Sequence, residues 1–176
     1  MKISELLEYH QSDKVTHHSY GPLYDTLLTP YRDRAKNVLE LGILEGCSLR
    51  AWREFFTNAT IHGVDNETGR LIHNEPRIVS HHVDTKERDR FIGVCNALPL
   101  FDVIVDDASH TIMEQVWAAS CLWGRLAPGG IYIIEDILYP QYLPLFQAFQ
   151  NVEFYDLRHV RGQHDDLVAV IRRLCT

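Results

Sequence analysis

The sequence predicts a doubly wound α/β fold: one domain with a mostly parallel sheet, helices on both faces and an antiparallel C-terminal edge. Three observations carry that prediction. Short, β-branched apolar runs alternate with stretches of helical spacing, the pattern of a parallel sheet buried on both faces and joined by right-handed crossovers. Acids punctuate the ends of these runs: Glu40, Asp65, Asp84, Asp106 with Asp107, and Glu135 with Asp136. Finally, 176 residues are enough for one domain that buries roughly 70% of its unfolded surface without staples.

Residues 3–9 read as a short helix with Ile3, Leu6 and Leu7 on one face. Ser12 to Tyr20 is polar and aperiodic; it is either a lid or a solvated connector, and composition alone favours the connector. A second helix runs from Pro22 to about Leu28. Residues 1–30 are thus N-terminal helices with a lid segment, and residues 31–176 the main domain, together one compact unit. Asn37–Ile43 is the first strand, and Gly46 opens a helix through about Phe56, with Trp52 and Phe56 assigned to the core. Strand two is Thr60–Asp65. The stretch to Arg77, holding Gly69 and Pro76, is too short for a firm helix. Strand three, Ile78–Asp84, precedes a helix from about Lys86 to Cys95. His81 and His82 point to opposite faces of that strand, which argues against a shared metal.

Strand four is 101–107. Thr111-Ile-Met-Glu114 reads as a capping box opening a helix to about Leu122. Ala127-Pro-Gly-Gly130 stops the chain before strand five, 131–136. Pro140 to Gln150 is loop and short helix. Val152–Arg158 and Leu167–Arg172 form the antiparallel edge pair, joined by the polar Arg161–Asp166.

The net charge of −7 argues against nucleic acid or an anionic membrane as partner. Cys47, Cys95, Cys121 and Cys175 form no CxxC pair; three fall in helical segments, so buried thiols in a reducing compartment are expected. The charged N-terminus lacks the apolar core of a signal peptide, and no apolar run approaches a membrane span. The expectation is a cytoplasmic protein.

In open α/β sheets, ligands bind outside the carboxyl ends of the strands. Adjacent fourth and fifth strands would deliver Asp106, Asp107, Glu135 and Asp136 to one crevice, with His110 a turn away. Carboxylates so gathered repel unless something positive sits among them: a metal ion, a cationic cofactor or both. The first turn, Glu40-Leu-Gly-Ile-Leu-Glu-Gly46, has glycines that let a ligand approach, but it is not GxGxxG. Its acids would repel a dinucleotide's pyrophosphate. S-adenosylmethionine (SAM), with a sulfonium and an ammonium and no phosphate, suits it better. Asp65 lies 23 positions after Gly42, near the spacing of roughly 20 at which an acid meets ribose hydroxyls. Asp84 would face the adenine edge.

The sequence resembles the class I SAM-dependent methyltransferases, whose sheet is Rossmann-like, and within them the metal-dependent sugar O-methyltransferases of macrolide biosynthesis. The matching pieces are Asp13-Lys14 with His18-Ser-Tyr20 and Tyr24, Val38-Leu-Glu-Leu-Gly42, Gly46-Cys-Ser-Leu49, Trp52, Ile61-His-Gly-Val-Asp65, Asp106-Asp-Ala-Ser-His110, Pro128 to Asp136, Phe154-Tyr-Asp156 and Leu167–Arg172. The resemblance implies Asp107, Glu135 and Asp136 as Mg²⁺ ligands, and His110, with Asp107 beside it, as the catalytic base. It makes Glu40, Gly42, Gly46, Ser48, Asp65 and Asp84 cofactor contacts, with Lys14 and Tyr20 in a segment closing over the cofactor. Asp106 either approaches the cofactor's ammonium or holds its own loop. The chain departs from the pattern in being compact and in its brief segment after strand five.

The reaction expected is Mg²⁺-assisted transfer of a methyl group from SAM to a hydroxyl of a small, sugar-like substrate. A hard, oxygen-liganded ion polarises hydroxyls, and an imidazole suits proton removal near neutrality. The rivals are a metal-independent SAM methyltransferase, a non-catalytic SAM-binding partner subunit and, last, an NAD oxidoreductase. A homodimer whose neighbour completes the pocket is also expected.

Overall fold

The computed structural model describes residues 1–149 and 151–175; Gln150, where the segment from Pro140 was expected to end, lies outside the described residues. The strands are β1 (Asn37–Leu41), β2 (Thr60–Asp65), β3 (Ile78–His82), β4 (Phe101–Asp106), β5 (Leu126–Ile134), β6 (Val152–Asp156) and β7 (Leu167–Arg172). They form one sheet of order β3-β2-β1-β4-β5-β7-β6. Strands β1 to β5 pair in parallel, while β7 runs antiparallel to both β5 and β6. After β3 the chain crosses back to the other side of β1, so the loops leaving β1 and β4 part at that junction. A crevice opens at such a switch point.

Alternation along the strands builds two cores. Val38, Ile61, Val103, Val105, Ile131 and Ile133 face one side and pack with helices α1 (Ile3–Tyr9), α3 (Gly21–Leu28) and α4 (Cys47–Phe55). Leu39, Leu41, Ile104, Tyr132 and Ile134 face the other and meet α5 (Arg88–Ala97) and α6 (Ile112–Leu122). Successive strand residues point to opposite faces, and continuous apolar runs therefore fill both layers. Trp52 and Phe56 are fully buried, as expected of core residues.

Several boundaries differ from the sequence expectation. Ser12 to Tyr20 is not a solvated connector: it contains a short helix, α2 (Asp13–Thr16), and Lys14, His18, Ser19 and Tyr20 are buried. The reason is long-range, since their partners lie at the far end of the chain. Strand β5 starts at Leu126, running through the Pro-Gly-Gly segment with a register shift opposite Phe101 and Val103. Gly129 takes a positive φ of 74° there, and its carbonyl accepts from Tyr31 and Arg34. The capping box is replaced as well. The Thr111 side chain caps nothing: the Glu114 amide donates to the Thr111 carbonyl at 2.9 Å, and the Glu114 carboxylate turns to the Arg88 guanidinium at 2.8 Å. Strands β1, β3 and β6 end at Leu41, His82 and Asp156, short of the expected ends. A short helix, α7 (Arg158–Arg161), opens the last loop. All four cysteines are free, but only Cys95 is buried. Among the described residues no helix is long and apolar enough to cross a membrane.

Candidate active site

Strands β4 and β5 end level with each other, Asp106 pairing with Ile134. Their next residues, Asp107 and Glu135-Asp136, therefore emerge side by side. The Glu135 amide donates to the Asp106 carbonyl at 3.0 Å, and Gln115 Nε2 donates to the Glu135 carbonyl at 2.8 Å. The chain then turns through a left-handed Asp136, φ 54°, a conformation that acidic and amide side chains tolerate better than most. On the β1 side, the Asp107 amide donates to the Leu41 carbonyl at 2.9 Å. A Cβ at Gly42 (φ 89°) would stand 2.2 Å from the Asp107 carbonyl oxygen. Only glycine lets these two loops touch.

The carboxylates gathered here take partners from the N-terminal segment. Lys14 Nζ lies 2.5 Å from Asp107 Oδ2, 2.6 Å from Glu135 Oε2 and 3.1 Å from Glu40 Oε1. Tyr24 donates to Glu135 Oε1 and Tyr20 to Asp136 Oδ1. His18 Nδ1 is 2.6 Å from Asp166 Oδ1 and 3.6 Å from Asp136 Oδ1. Glu40 is fully buried, accepting from Ser48 Oγ at 2.7 Å and Trp52 Nε1 at 2.9 Å. His110, whose side chain is 44% exposed, places Nε2 3.3 Å from Asp136 Oδ2 and 3.6 Å from Asp107 Oδ1.

These surroundings shift the titrating groups in opposite directions. Burial pushes Glu135 up to about 7 against the pull of Lys14, and pushes Asp106 up to about 7 although Tyr132 donates to it. Burial also disfavours the charge on Asp107, but Lys14 and His110 outweigh it and hold that acid below its ordinary value. Asp136 is raised by burial and by the neighbouring Asp107. His110 is raised above 6.5, first by its hydrogen bond to Asp107. Neighbouring carboxyls driven apart in this way mark a functional site.

A cavity of about 490 Å³ opens beside this pit, within the usual range for small-molecule sites. Gly42, Ser48, Asp65 and Asp84 line it at one end and Asp107, His110 and Asp136 at the other. Four of the residues expected to contact the cofactor are therefore on its wall. Lys14, Tyr20, Glu40, Gly46 and Asp106 are not; the first three lie in the network beneath, Gly46 packs toward Ile72, and Asp106 takes the Tyr132 hydroxyl. Asp65 accepts from the Ile43 and Glu67 amides, each at 2.8 Å, and Asp84 from the Lys86 amide at 2.8 Å.

Of the three expected metal ligands, the geometry brings together Asp107 and Asp136, and it adds His110: one donor atom from each lies within 4.8 Å of the others. Glu135 is outside that group, its oxygens taken by Lys14 and Tyr24. Glu40, Asp107 and Glu135 share a single lysine beside Asp136, and Glu40 Oε1 has no hydrogen-bond partner of good geometry. A hard divalent cation fits this excess of carboxylate oxygen. Sequence reading did not single out Gln115 or Asp166 as site residues. The first is one polar side chain in an amphipathic helix, the second one acid in a polar loop, and nothing local distinguishes either.

No family model matches the sequence. The 8-demethyl-8-alpha-L-rhamnosyl tetracenomycin-C 2'-O-methyltransferase of Streptomyces olivaceus is 36% identical over 146 residues, 79% of this chain and 38% of that protein. The mycinamicin VI 2''-O-methyltransferase of Micromonospora griseorubida is 30% identical over 136 residues, 73% of this chain and 34% of that protein. The chain thus spans little more than a third of the length of these curated relatives. Among solved structures, the MycE methyltransferase of the mycinamycin pathway, in complex with Mg, SAH and mycinamycin VI, superposes with a TM-score of 0.82 at 24% identity, covering 99% of this chain and 55% of that one. The Bacillus cereus O-methyltransferase in complex with SAH gives 0.67 at 15%, covering 97% and 90%.

Proposed function

From a chain that belongs to the class I SAM-dependent methyltransferase fold and is a relative of the sugar O-methyltransferases, we propose transfer of a methyl group from SAM to a hydroxyl of a small sugar-like substrate, assisted by Mg²⁺. The observation that carries it is the placement of His110 between Asp107 and Asp136, at the mouth of a cavity whose other wall holds Gly42, Asp65 and Asp84. Methyl transfer from a sulfonium is an in-line displacement in which the cofactor supplies the reactive group.

The protein's own tasks are alignment and proton removal. Alignment is worth several kcal/mol, up to roughly 7–11 in ideal systems. The neutral His110 imidazole accepts the hydroxyl proton as the oxygen attacks, and Asp107 and Asp136, beside its Nε2, stabilise the imidazolium that forms. Bound at Asp107 and Asp136, Mg²⁺ would polarise the hydroxyl and lower the barrier to its deprotonation. Gly42 lets the cofactor lie against backbone, while Asp65 and Asp84 offer their remaining lone pairs to hydroxyl and amino groups. A metal-independent methyltransferase is the second reading, favoured by the fixed positive charge that Lys14 already supplies.

We read the protein as a cytoplasmic enzyme, in line with its free thiols. We also read it as a homodimer, which a monomeric mass by light scattering would contradict.

Thermal-shift series with S-adenosylhomocysteine and NAD⁺, each with and without Mg²⁺, test the cofactor. S-adenosylhomocysteine at about 100 times its Kd should stabilise the fold by roughly 2.7 kcal/mol, several degrees for a domain of this size. No shift with S-adenosylhomocysteine at millimolar concentration would overturn the proposal, and a shift with NAD⁺ alone would replace it. Loss of turnover in EDTA, restored by Mg²⁺, separates the first reading from the second.

A further inference from the structure

Lys14 is the most deeply buried charge in the molecule to have three carboxylates around it. Its side chain is 1% exposed, as are those of Glu40 and Glu135, and the ammonium contacts Glu40, Asp107 and Glu135 together. It comes from α2, a single turn of helix whose Val15 packs on the core. That turn is fixed by Thr16 Oγ1 donating to the Ser12 carbonyl at 3.0 Å, and by the His18 and Ser19 contacts to Asp166. A lone buried ammonium is expensive unless paired and hydrogen-bonded. Here the ammonium donates to Asp107 Oδ2 and Glu135 Oε2, and Glu40 Oε1 stands 3.1 Å away as a third counter-charge.

The ammonium divides the carboxylates into two sets. With Tyr24, it takes both oxygens of Glu135, and it takes Oδ2 of Asp107. Tyr20 takes Oδ1 of Asp136. The oxygens left facing the cavity are Asp107 Oδ1 and Asp136 Oδ2, the two nearest His110. We infer that Lys14 is a positioning residue: a resident cation that holds Asp107 and Glu135 in place and leaves one oxygen each of Asp107 and Asp136 for the external cation. Glu135 then serves as a counter-ion of Lys14. The inference rests on the metal-assisted reading, and it goes beyond that reading in assigning Lys14 and Glu135 their roles.

This arrangement makes the chain's own cation and an external one compete for the same field. Removing Lys14 should therefore tighten divalent-cation binding while harming turnover, a combination that general structural damage does not produce. The probe is Mn²⁺ alone, titrated into the full chain and followed by electron paramagnetic resonance of the free ion. Lys14→Met should bind Mn²⁺ at least roughly tenfold more tightly, a floor well below the roughly thousandfold that removing one unit charge a few Å away gives at an effective dielectric near 20. Its kcat should fall at least tenfold, with the KM for SAM changing less than threefold.

Lys14→Met can fail to fold, since it strands buried carboxylates. The double variant Lys14→Met with Glu135→Gln removes one charge of each sign, and it should fold and bind Mn²⁺ within about threefold of wild type. Unchanged or weakened Mn²⁺ affinity in folded Lys14→Met would overturn the inference, and so would tightening in the double variant as large as in the single one. Wild type that binds no Mn²⁺ would instead count against the metal-assisted reading. If Lys14→Met gained binding in that case, Lys14 would stand as the ion's replacement.

Discussion

On the β1–β3 side of the crevice, the two acids that line the cavity are satisfied by backbone amides: Asp65 by those of Ile43 and Glu67, Asp84 by that of Lys86. On the β4–β5 side, the acids depend on distant chain. Glu135 is held by Lys14 and Tyr24, Asp136 by Tyr20, and Asp107 by Lys14. Backbone amides stabilise a carboxylate without adding a titrating partner, which suits a surface that must only recognise a cofactor. Side-chain cations and hydroxyls hold carboxylates in a pit whose charge is left incompletely balanced, which suits chemistry. Under the proposed function the two sides of one sheet would separate binding from reaction, and they meet where Gly42 passes the Asp107 carbonyl.

The largest test of that division is His110→Ala. Removal of a positioned base should cost roughly 10²–10⁴ in turnover, while calorimetry should find S-adenosylhomocysteine affinity within a few-fold of wild type. The converse is Asp65→Ala, which should weaken S-adenosylhomocysteine binding by tenfold or more. Equal losses of binding in both variants would merge the two regions into one.

The next effect concerns stability. Glu40 lies under the junction and joins Ser48 and Trp52 of α4 to Lys14 of the pit. Glu40→Ala leaves the ammonium short of a counter-charge and the indole N–H without an acceptor. Breaking a buried pair from one side costs about 3–5 kcal/mol, to be read from urea unfolding midpoints. Glu40→Gln keeps an acceptor for Ser48 and Trp52 and should lose less than half as much. Equal losses in the two variants would mean that the hydrogen bonds to α4 matter little beside the ion pair.

The β1–β3 side was the more legible in sequence for the same physical reason that separates the two regions. Its signals are local: a strand, a glycine turn, an acid some twenty positions on. The acids of the β4–β5 side were legible too, since Asp107 and Glu135-Asp136 each follow an apolar run directly. What holds them was not. Lys14 and Glu135 are brought together only by tertiary folding, and a polar segment such as Ser12–Tyr20 looks solvated until its partners are known. The capping box failed likewise, because Arg88 offers Glu114 a charge that the local pattern could not include. The mostly parallel sheet, its antiparallel C-terminal edge and the burial of both its faces, by contrast, followed from apolar runs alternating with helical spacing, which periodicity does encode.

The smallest effect lies farthest from the pit, at His62 and His81, whose rings stack 5.4 Å apart between β2 and β3 with Nδ1 and Nε2 at 3.1 Å. One nitrogen must donate and the other accept, so the pair is at its best with both rings neutral. Burial first, and then His81, hold His62 down to about 4, and burial lowers His81 too. The folded chain therefore refuses protons that the unfolded chain accepts near 6.5. The sign follows from linkage: this contribution is complete above about 6.5 and is lost as pH falls toward 4. His62→Leu removes the coupling, and between pH 7 and 4.5 the variant should lose on the order of 1 kcal/mol less stability than wild type, measured as the difference in urea midpoints. Parallel curves for the two proteins would leave acid sensitivity to groups such as Asp107, which is held below its ordinary value. A flatter curve for the variant would show that the β1–β3 side carries a titrating element of its own in the sheet.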